Sequence, residues 1–279
     1  MLKQRVITAV VLLVVLLAAL FAPAVWPFAT LSLLLVVTAG WEWGRLNGLG
    51  TGPAAALGGA VALACGLSWI AGAAAQSLPA LWWAAALLWV LGGAAVLRLG
   101  PAGWPRLAPA VRLAIGTVVL WLTWLALTQA RGIGLNFLLS VFALVWAADI
   151  AAYFGGRAFG RRKLAPSISP GKSWAGVYSG MAGVLVLALL WLQFDARASV
   201  DAPSLYGMLN AQAGWPGLVV GCLFLGGMSV VGDLFESLVK RAVGAKDSSA
   251  LLPGHGGVLD RIDALLPVFP LALALSLIQ

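Results

Sequence analysis

Residues 109–154 read PAVRLAIGTVVLWLTWLALTQARGIGLNFLLSVFALVWAADIAAYF. Two apolar runs, 109–129 and 133–154, flank a short break at Arg131-Gly132, and Arg112, Arg131 and Asp149 are the only charges in the stretch. Each run has about 20 residues, enough for a helix to cross the roughly 30 Å hydrocarbon core of a bilayer. The rest of the chain is alike. Of its 279 residues, 62% are apolar and 9% charged, and the mean hydropathy is +1.00. Soluble domains are about one quarter charged, and a globule of this composition could not cover its surface. Disordered chains are poor in apolar residues, which excludes that class too. The composition predicts an all-α, polytopic membrane bundle.

Working outward, apolar runs punctuated by Gly, Pro and charge predict nine spanning helices near 6–22, 24–43, 53–75, 80–97, 109–129, 133–154, 174–194, 216–240 and 264–279. Residues 1–130 would hold five of them. Residues 131–279 would form a second membrane region with loops 155–173 and 241–263 on the cytoplasmic side. The first run follows Lys3 and Arg5 and is longer than the apolar part of a signal peptide, so it reads as an uncleaved helix. Trp26, Trp41, Trp43, Trp104, Trp174 and Trp215 fall toward span ends, as an interfacial aromatic belt predicts. With the N-terminus inside, 15 of the 17 Lys and Arg lie on the inner face, leaving Arg131 and Arg197 outside. The net charge of +8 is thereby explained by topology, with no nucleic acid implied. Cys65 and Cys222 lie in apolar runs and read as packing residues, and His255, the single histidine, excludes zinc sites built on paired histidines.

The acids are distributed in a way that topology does not explain. Only nine Asp and Glu occur; Glu42, Asp149, Asp233, Glu236, Asp247, Asp260 and Asp263 fall at or near the inner face, and Asp195 and Asp201 outside. Asp233 lies about 10 Å down its helix from Lys240, and Asp149 about 9 Å inside its own helix end. Acids at such depth ordinarily face a polar cavity. Asp233, Glu236, Ser237, Lys240 and Arg241 share one helix face, as a substrate-facing stripe or an internal salt-bridge ladder. The loop that follows carries Lys246-Asp247 and Pro253-Gly254-His255-Gly256-Gly257, with backbone suited either to phosphate oxygens or to a flexible connection. Asp260 and Asp263, one turn apart, are hard oxygen donors of the kind that bind Mg²⁺ with nucleotide phosphates, or else acids complementing a helix N-terminus. Ser169-Pro170-Gly171-Lys172-Ser173, before a helix, offers hydroxyls, amides and an ammonium to an anion; it is not a Walker A motif.

The run Ser237-x2-Lys240-Arg241-x4-Lys246-Asp247-x-Ser249-x2-Leu252-Pro253-x-His255-Gly256-Gly257-x2-Asp260-Arg261-x-Asp263 resembles the C-terminal signature of the phosphatidate cytidylyltransferase (CDP-diacylglycerol synthase) family. The segment Asp149–Trp174 resembles that family's second motif, D-x-x-A-Y-x-x-G-R-x-F-G…S-P-x-K-[ST]-W-E-G. Ala175 stands where the family usually has Glu, so no carboxylate is carried over there. The resemblance implies a nucleotidyltransferase converting CTP and phosphatidate into CDP-diacylglycerol and pyrophosphate. It would act at the inner membrane with its site facing the cytoplasm, using Mg²⁺, alone or with a second cation. Asp233, Asp260 and Asp263 are the expected metal ligands and, with Lys240, the expected catalytic residues. Ser237, Arg241, Lys246, His255, Gly256, Gly257, Arg261, Lys172 and Asp149 are expected to contact substrate. The expected partners are CTP and bilayer phosphatidate, with a homodimer as the candidate assembly. A near rival is transfer to another lipid phosphate, such as an isoprenoid-ether lipid. A cation transporter would need polar residues on both faces of a pathway and often an internal repeat, and neither is found. The D-x2-D-G-x2-A-R pattern of CDP-alcohol phosphotransferases is absent.

Overall fold

The computed structural model describes residues 2–277, with side chains from Val10 onward except Leu12. The expected inner-face side chains of Lys3 and Arg5, and residues 278–279 of the expected last helix, lie outside the described residues. The elements are α1 (Leu2–Leu20), α2 (Trp26–Leu46), α3 (Thr51–Ile70), α4 (Pro79–Leu87), α5 (Gly93–Gly103), α6 (Pro109–Ile133) and α7 (Leu135–Phe159), then strands β1 (Lys163–Ala165) and β2 (Ser169–Ser173), then α8 (Trp174–Asp195), α9 (Leu205–Ala242), α10 (Leu259–Ile262) and α11 (Leu265–Ser276). Each expected helix has a counterpart in chain order. Among the described residues, six segments are long and apolar enough to cross a membrane: Thr51–Ile70, Pro79–Arg106, Pro109–Ile133, Leu135–Phe159, Trp174–Arg197 and Leu205–Ala242. α4 runs into α5 through a π-type turn at Leu88–Gly92.

The bundle is organised around α11. Every residue from Leu265 to Ala274 is buried, as befits a helix that is apolar on all sides. It packs against α4, α6, α7 and α9. The helix therefore joins both halves of the chain in one core and fixes its own N-terminal end, residues 258–264, against α2 and α9. At 12 residues, α11 is about 18 Å long, short of the hydrocarbon thickness. α7 and α8 pack most extensively on each other. Gly176, Gly180 and Gly183 of α8 lie against the α7 backbone at Ala152, Ala148 and Ala147, the small-residue contact that lets membrane helices approach closely.

Three expectations are corrected. The expected loop 155–173 is partly regular: α7 continues to Phe159 and an antiparallel hairpin follows, with Lys163 opposite Ser173 and Ala165 opposite Ser169. Buried Ile168 anchors its turn, and the Ser173 hydroxyl accepts from the Gly176 N–H to cap α8. The helix expected from 216 is preceded by another turned segment, 205–212, within α9. The two are separated by non-helical Ala213 and Gly214 (φ +60°) just before Pro216. Ser204 starts that first segment by accepting from the Gly207 N–H, a cap signal present in the sequence. Finally, Trp43 and Trp104 belong to the core rather than to an aromatic belt. Trp43 stacks on Phe235, with ring centroids 5.7 Å apart, and Trp104 meets the same ring edge-on. Their indole N–H groups donate to Arg112 O and Asn47 Oδ1, so nothing polar draws them to an interface. Trp26 and Trp215 are exposed, as a belt requires.

Candidate active site

The polar stripe of α9 divides in two when the helix packs. Asp233, Ser237 and Arg241, spaced four apart, turn toward the hairpin. Ser237 Oγ donates to Asp233 Oδ1 (3.3 Å), Lys172 of β2 pairs with Asp233 (Nζ–Oδ2 2.6 Å), and Arg241 Nε donates to Ile168 O (3.3 Å). Glu236 and Lys240 turn instead toward α10. The Lys240 ammonium lies 2.6 Å from Glu236 Oε2 and 2.6 Å from Asp260 Oδ1. The salt-bridge-ladder reading therefore describes this second half of the stripe, while the first half turns toward the hairpin.

The first half borders a cleft of about 460 Å³ between α7, β2, the start of α8 and α9. Asp149, Tyr153, Arg157, Gly171, Lys172 and Asp233 line it. Arg157 is held toward Tyr153 Oη (3.4 Å) rather than toward an acid. Asp263 joins this group from the α10–α11 junction. Gly232 makes that possible, because a Cβ there would lie 2.4 Å from Asp263 O and 2.8 Å from Pro267 Cδ. α9 can approach the junction only with glycine at this position. Burial, and then repulsion from Asp233 and Asp149, push the Asp263 carboxyl well above the usual carboxylate range, with Lys172 opposing the shift. Its hydrogen bond is local, from the Ala264 N–H (2.7 Å).

Asp260 faces the other way. Its two oxygens accept from Lys240 Nζ, the Ser248 N–H and hydroxyl, and the Gly257 N–H (2.7 Å). Burial alone would raise its pKa, but the Lys240 ammonium and the Gly257 and Ser248 amides outweigh it and hold the carboxyl down to about 2. Asp260 and Asp263 are thus neighbours in sequence with different surroundings. The Gly257 amide, expected in a phosphate cradle, is engaged by Asp260. The preceding turn is tight, with Gly254 and Gly256 at φ +76° and +82° and the His255 N–H on Leu252 O (2.8 Å). Arg261 braces the turn through Nε and Nη2 on His255 O, and Arg241 Nη1 holds Ala245 O (3.0 Å). Lys246 is exposed and unpaired among the described residues.

Sequence reasoning placed Glu42 near this face but gave it no role. It is fully buried at the end of α2 and accepts from Ser248, Ser249, Val258 and Leu259. Ser248 was likewise passed over. The available signal was the scarcity of acids, one of which falls in the Trp41-Glu42-Trp43 run. A larger hollow of about 540 Å³ at the far end of the bundle, around Trp69, Trp82 and Gln129, is lined by no charged side chain.

The donor set suits a hard divalent cation. Asp233, Asp263 and Asp149 share one ammonium, Lys172, and their mutual repulsion is what a cation would relieve. Among the described residues no three acid, histidine or cysteine side chains form a ready cage. Mg²⁺ does not require one, since it commonly takes one or two carboxylates and completes its shell with water and substrate phosphates.

The model of the cytidylyltransferase family matches residues 3–278. A phosphatidate cytidylyltransferase of Pseudomonas aeruginosa is 40% identical over 282 residues, covering 99% of this chain and 97% of that protein. One from Haemophilus influenzae is 50% identical over 137 residues, 49% of this chain and 44% of that protein. One from Bacillus subtilis is 39% identical over 137 residues, 49% of this chain and 46% of that protein. With one relative aligned almost end to end and the family model spanning nearly every residue, the chain belongs to the cytidylyltransferase family.

Proposed function

We infer that this membrane enzyme transfers CMP from CTP to phosphatidate, giving CDP-diacylglycerol and pyrophosphate. The observation that carries this reading is the docking of the hairpin on α9, where Arg241 of the C-terminal signature donates to Ile168 O of the second motif and Lys172 pairs with Asp233, one turn before Ser237. In the reaction an oxygen of the lipid phosphate bonds to the α-phosphorus of CTP. The bond from that phosphorus to the bridging oxygen breaks, and pyrophosphate leaves with the electron pair. A phosphate monoester is already anionic at neutral pH, so the protein's task is to align two polyanions and neutralise their charge.

In our reading Asp233 and Asp263 hold Mg²⁺, with Asp149 adding negative charge beside them. Bound there, the ion would screen the phosphates and stabilise charge on the leaving oxygen. Lys172 and Lys246 supply ammonium groups to the phosphates, and Arg241 and Arg261 present their remaining N–H groups while bracing the loops. Asp260, with Lys240, orders the loop beside the cation, and Ser237 keeps Asp233 in place. His255 hydrogen-bonds a phosphate. The cleft borders the exposed rings of Tyr153 and, beyond it, Phe154 and Tyr178, a surface on which diacyl chains remain in lipid.

We place the N-terminus in the cytoplasm, with nine membrane helices, of which the short α11 is held inside the bundle, and the site at the cytoplasmic face of the inner membrane. The 15-to-2 distribution of Lys and Arg supports that orientation. Membrane-impermeant thiol labelling of single cysteines at positions 197 and 246 tests it: only the latter is shielded in sealed, right-side-out cells. For the activity, the purified chain with labelled CTP, phosphatidate and Mg²⁺ forms labelled CDP-diacylglycerol. No product across a range of lipids and detergents overturns the reading.

A further inference from the structure

Glu42 is the most thoroughly enclosed acid in the described chain, at 0% exposure, and none of the ion pairs found among the described residues includes it. An unpaired carboxylate is costly to bury unless hydrogen bonds replace its water. Four groups do so here. Oε1 accepts from the Ser249 hydroxyl (2.6 Å) and the Val258 N–H (2.9 Å), and Oε2 from the Ser248 hydroxyl (3.1 Å) and the Leu259 N–H (2.7 Å). All four donors belong to the segment that leads into Asp260, more than 200 residues away in sequence. The fit is tight: a Cβ on Gly257 would lie 2.4 Å from Glu42 Oε1 and 2.0 Å from Ser248 Oγ. Ser248 also touches Asp260: its amide donates to that carboxylate (3.0 Å), and its one hydroxyl proton lies between Asp260 Oδ2 and Glu42 Oε2 and is shared by them, so the two carboxylates are one residue apart in the network.

We propose that Glu42 is a positioning residue of the transferase. Through Ser248, Ser249 and the Val258 and Leu259 amides it fixes segment 248–259, and with it Asp260 and the entry to α11, in the arrangement that transfer requires. α2 thereby becomes part of the catalytic apparatus without touching substrate. The proposal rests on the reading that Asp260 and its loop belong to the site. A carboxylate is needed because all four partners can donate. Glutamine keeps the shape, but its NH₂ group faces N–H and O–H donors and cannot accept from them.

The test uses the purified full-length chain in detergent, comparing wild type with Glu42→Gln, Ser249→Ala and Asp260→Asn. It measures kcat and KM for CTP per folded molecule, together with hydrogen exchange of segment 247–259. Glu42→Gln is expected to lower kcat by about 10- to 100-fold, the usual effect of losing a group that orients a functional residue. Its exchange should rise in 247–259 while α6 and α7 stay protected. Ser249→Ala should show the same pattern to a smaller extent, about 2- to 10-fold in kcat, the scale of one hydrogen bond, and it carries the test if Glu42→Gln does not fold. A purely structural role would lower the yield of folded protein and leave kcat per folded molecule unchanged; that result overturns the proposal. So does a fall in kcat with no change in the exchange of 247–259. If Asp260→Asn is inactive while Glu42→Gln is normal, only the role of Glu42 fails. If Asp260→Asn is itself normal, the underlying reading of the site fails with it.

Discussion

Two clusters of acids lie within a few turns of each other at the charged end of the bundle, and they are built on opposite principles. In the knot around Glu42, Ser248 and Asp260, donors converge on the carboxylates: a hydroxyl and two amides on Glu42, an ammonium and two amides on Asp260, and the Ser248 hydroxyl between the two acids, with Glu236 sharing the Lys240 ammonium. In the cleft, Asp149, Asp233 and Asp263 share a single ammonium, and Asp263 is pushed toward its neutral form. A matched cluster resists change and serves as a frame. An unmatched one is electrostatically incomplete, and its unmet requirement is for positive charge that a ligand brings. Carboxylates that look interchangeable in sequence, such as Asp260 and Asp263, are thereby given different surroundings.

The comparison predicts different consequences for the same substitution. Asp233→Asn and Asp263→Asn should lower kcat by about 10²- to 10³-fold, the scale of losing a main electrostatic element of a site, and should raise the Mg²⁺ concentration needed for half-maximal rate. Asp260→Asn should also cripple turnover, but with loosened exchange across 247–259 and little change in Mg²⁺ requirement. If Asp260→Asn shifts the Mg²⁺ curve as strongly as Asp263→Asn, the division into frame and cation site is wrong.

A pH titration sharpens the same division. Asp263 must lose its proton to take a cation, and its pKa is raised by burial and by Asp233. Lowering the pH from 8 to 6.5 should therefore increase the half-saturating Mg²⁺, with the proton competing for the carboxylate. Asp260, held at about 2, stays ionised throughout that range. A half-saturating Mg²⁺ that does not change with pH would remove Asp263 from the cation site.

A third acid, at the far end, provides the contrast in stability. Asp201 accepts from the Leu135 and Asn136 amides at the start of α7 (3.0 Å for the latter). Partial burial raises its pKa, but these amides outweigh it and hold the carboxyl below the usual range. Asp201→Ala should cost about 1 kcal/mol of stability by uncapping α7, read as a lower unfolding temperature, with kcat unaltered. A catalytic defect there would mean that the two ends of the bundle are coupled.

How much of this was legible in the sequence depends on the range of the interaction concerned. The spans of α6 and α7 could be read to within a few residues because lipid imposes a one-dimensional rule on length and polarity. Asp233 could be singled out because a deep acid is costly. The division of the α9 stripe could not, since a face shared by Asp233 and Glu236 says nothing of which neighbour each will meet. The partners of Glu42 could not be read for the same reason: they are assembled by the packing of α2 against the loop before α11. Trp43 and Trp104 were misplaced because an indole at a helix end looks the same whether its N–H meets interfacial water or, as here, Arg112 O and Asn47 Oδ1.

The smallest expected effect tests the limit of the cleft. Arg162 sits between α7 and β1 among Arg161 and Lys163, a basic run that could bind substrate phosphate or merely mark the cytoplasmic side. It is exposed, its guanidinium stacks 5.8 Å from the centre of the Trp174 ring, and it forms no ion pair among the described residues. An exposed contact of that kind is worth about 0.5–1 kcal/mol, so Arg162→Gln should reduce kcat/KM by no more than about fivefold. If it instead costs as much as Lys172→Gln, the substrate phosphates extend across the hairpin, and the acid-rich cleft is only the inner half of a longer groove.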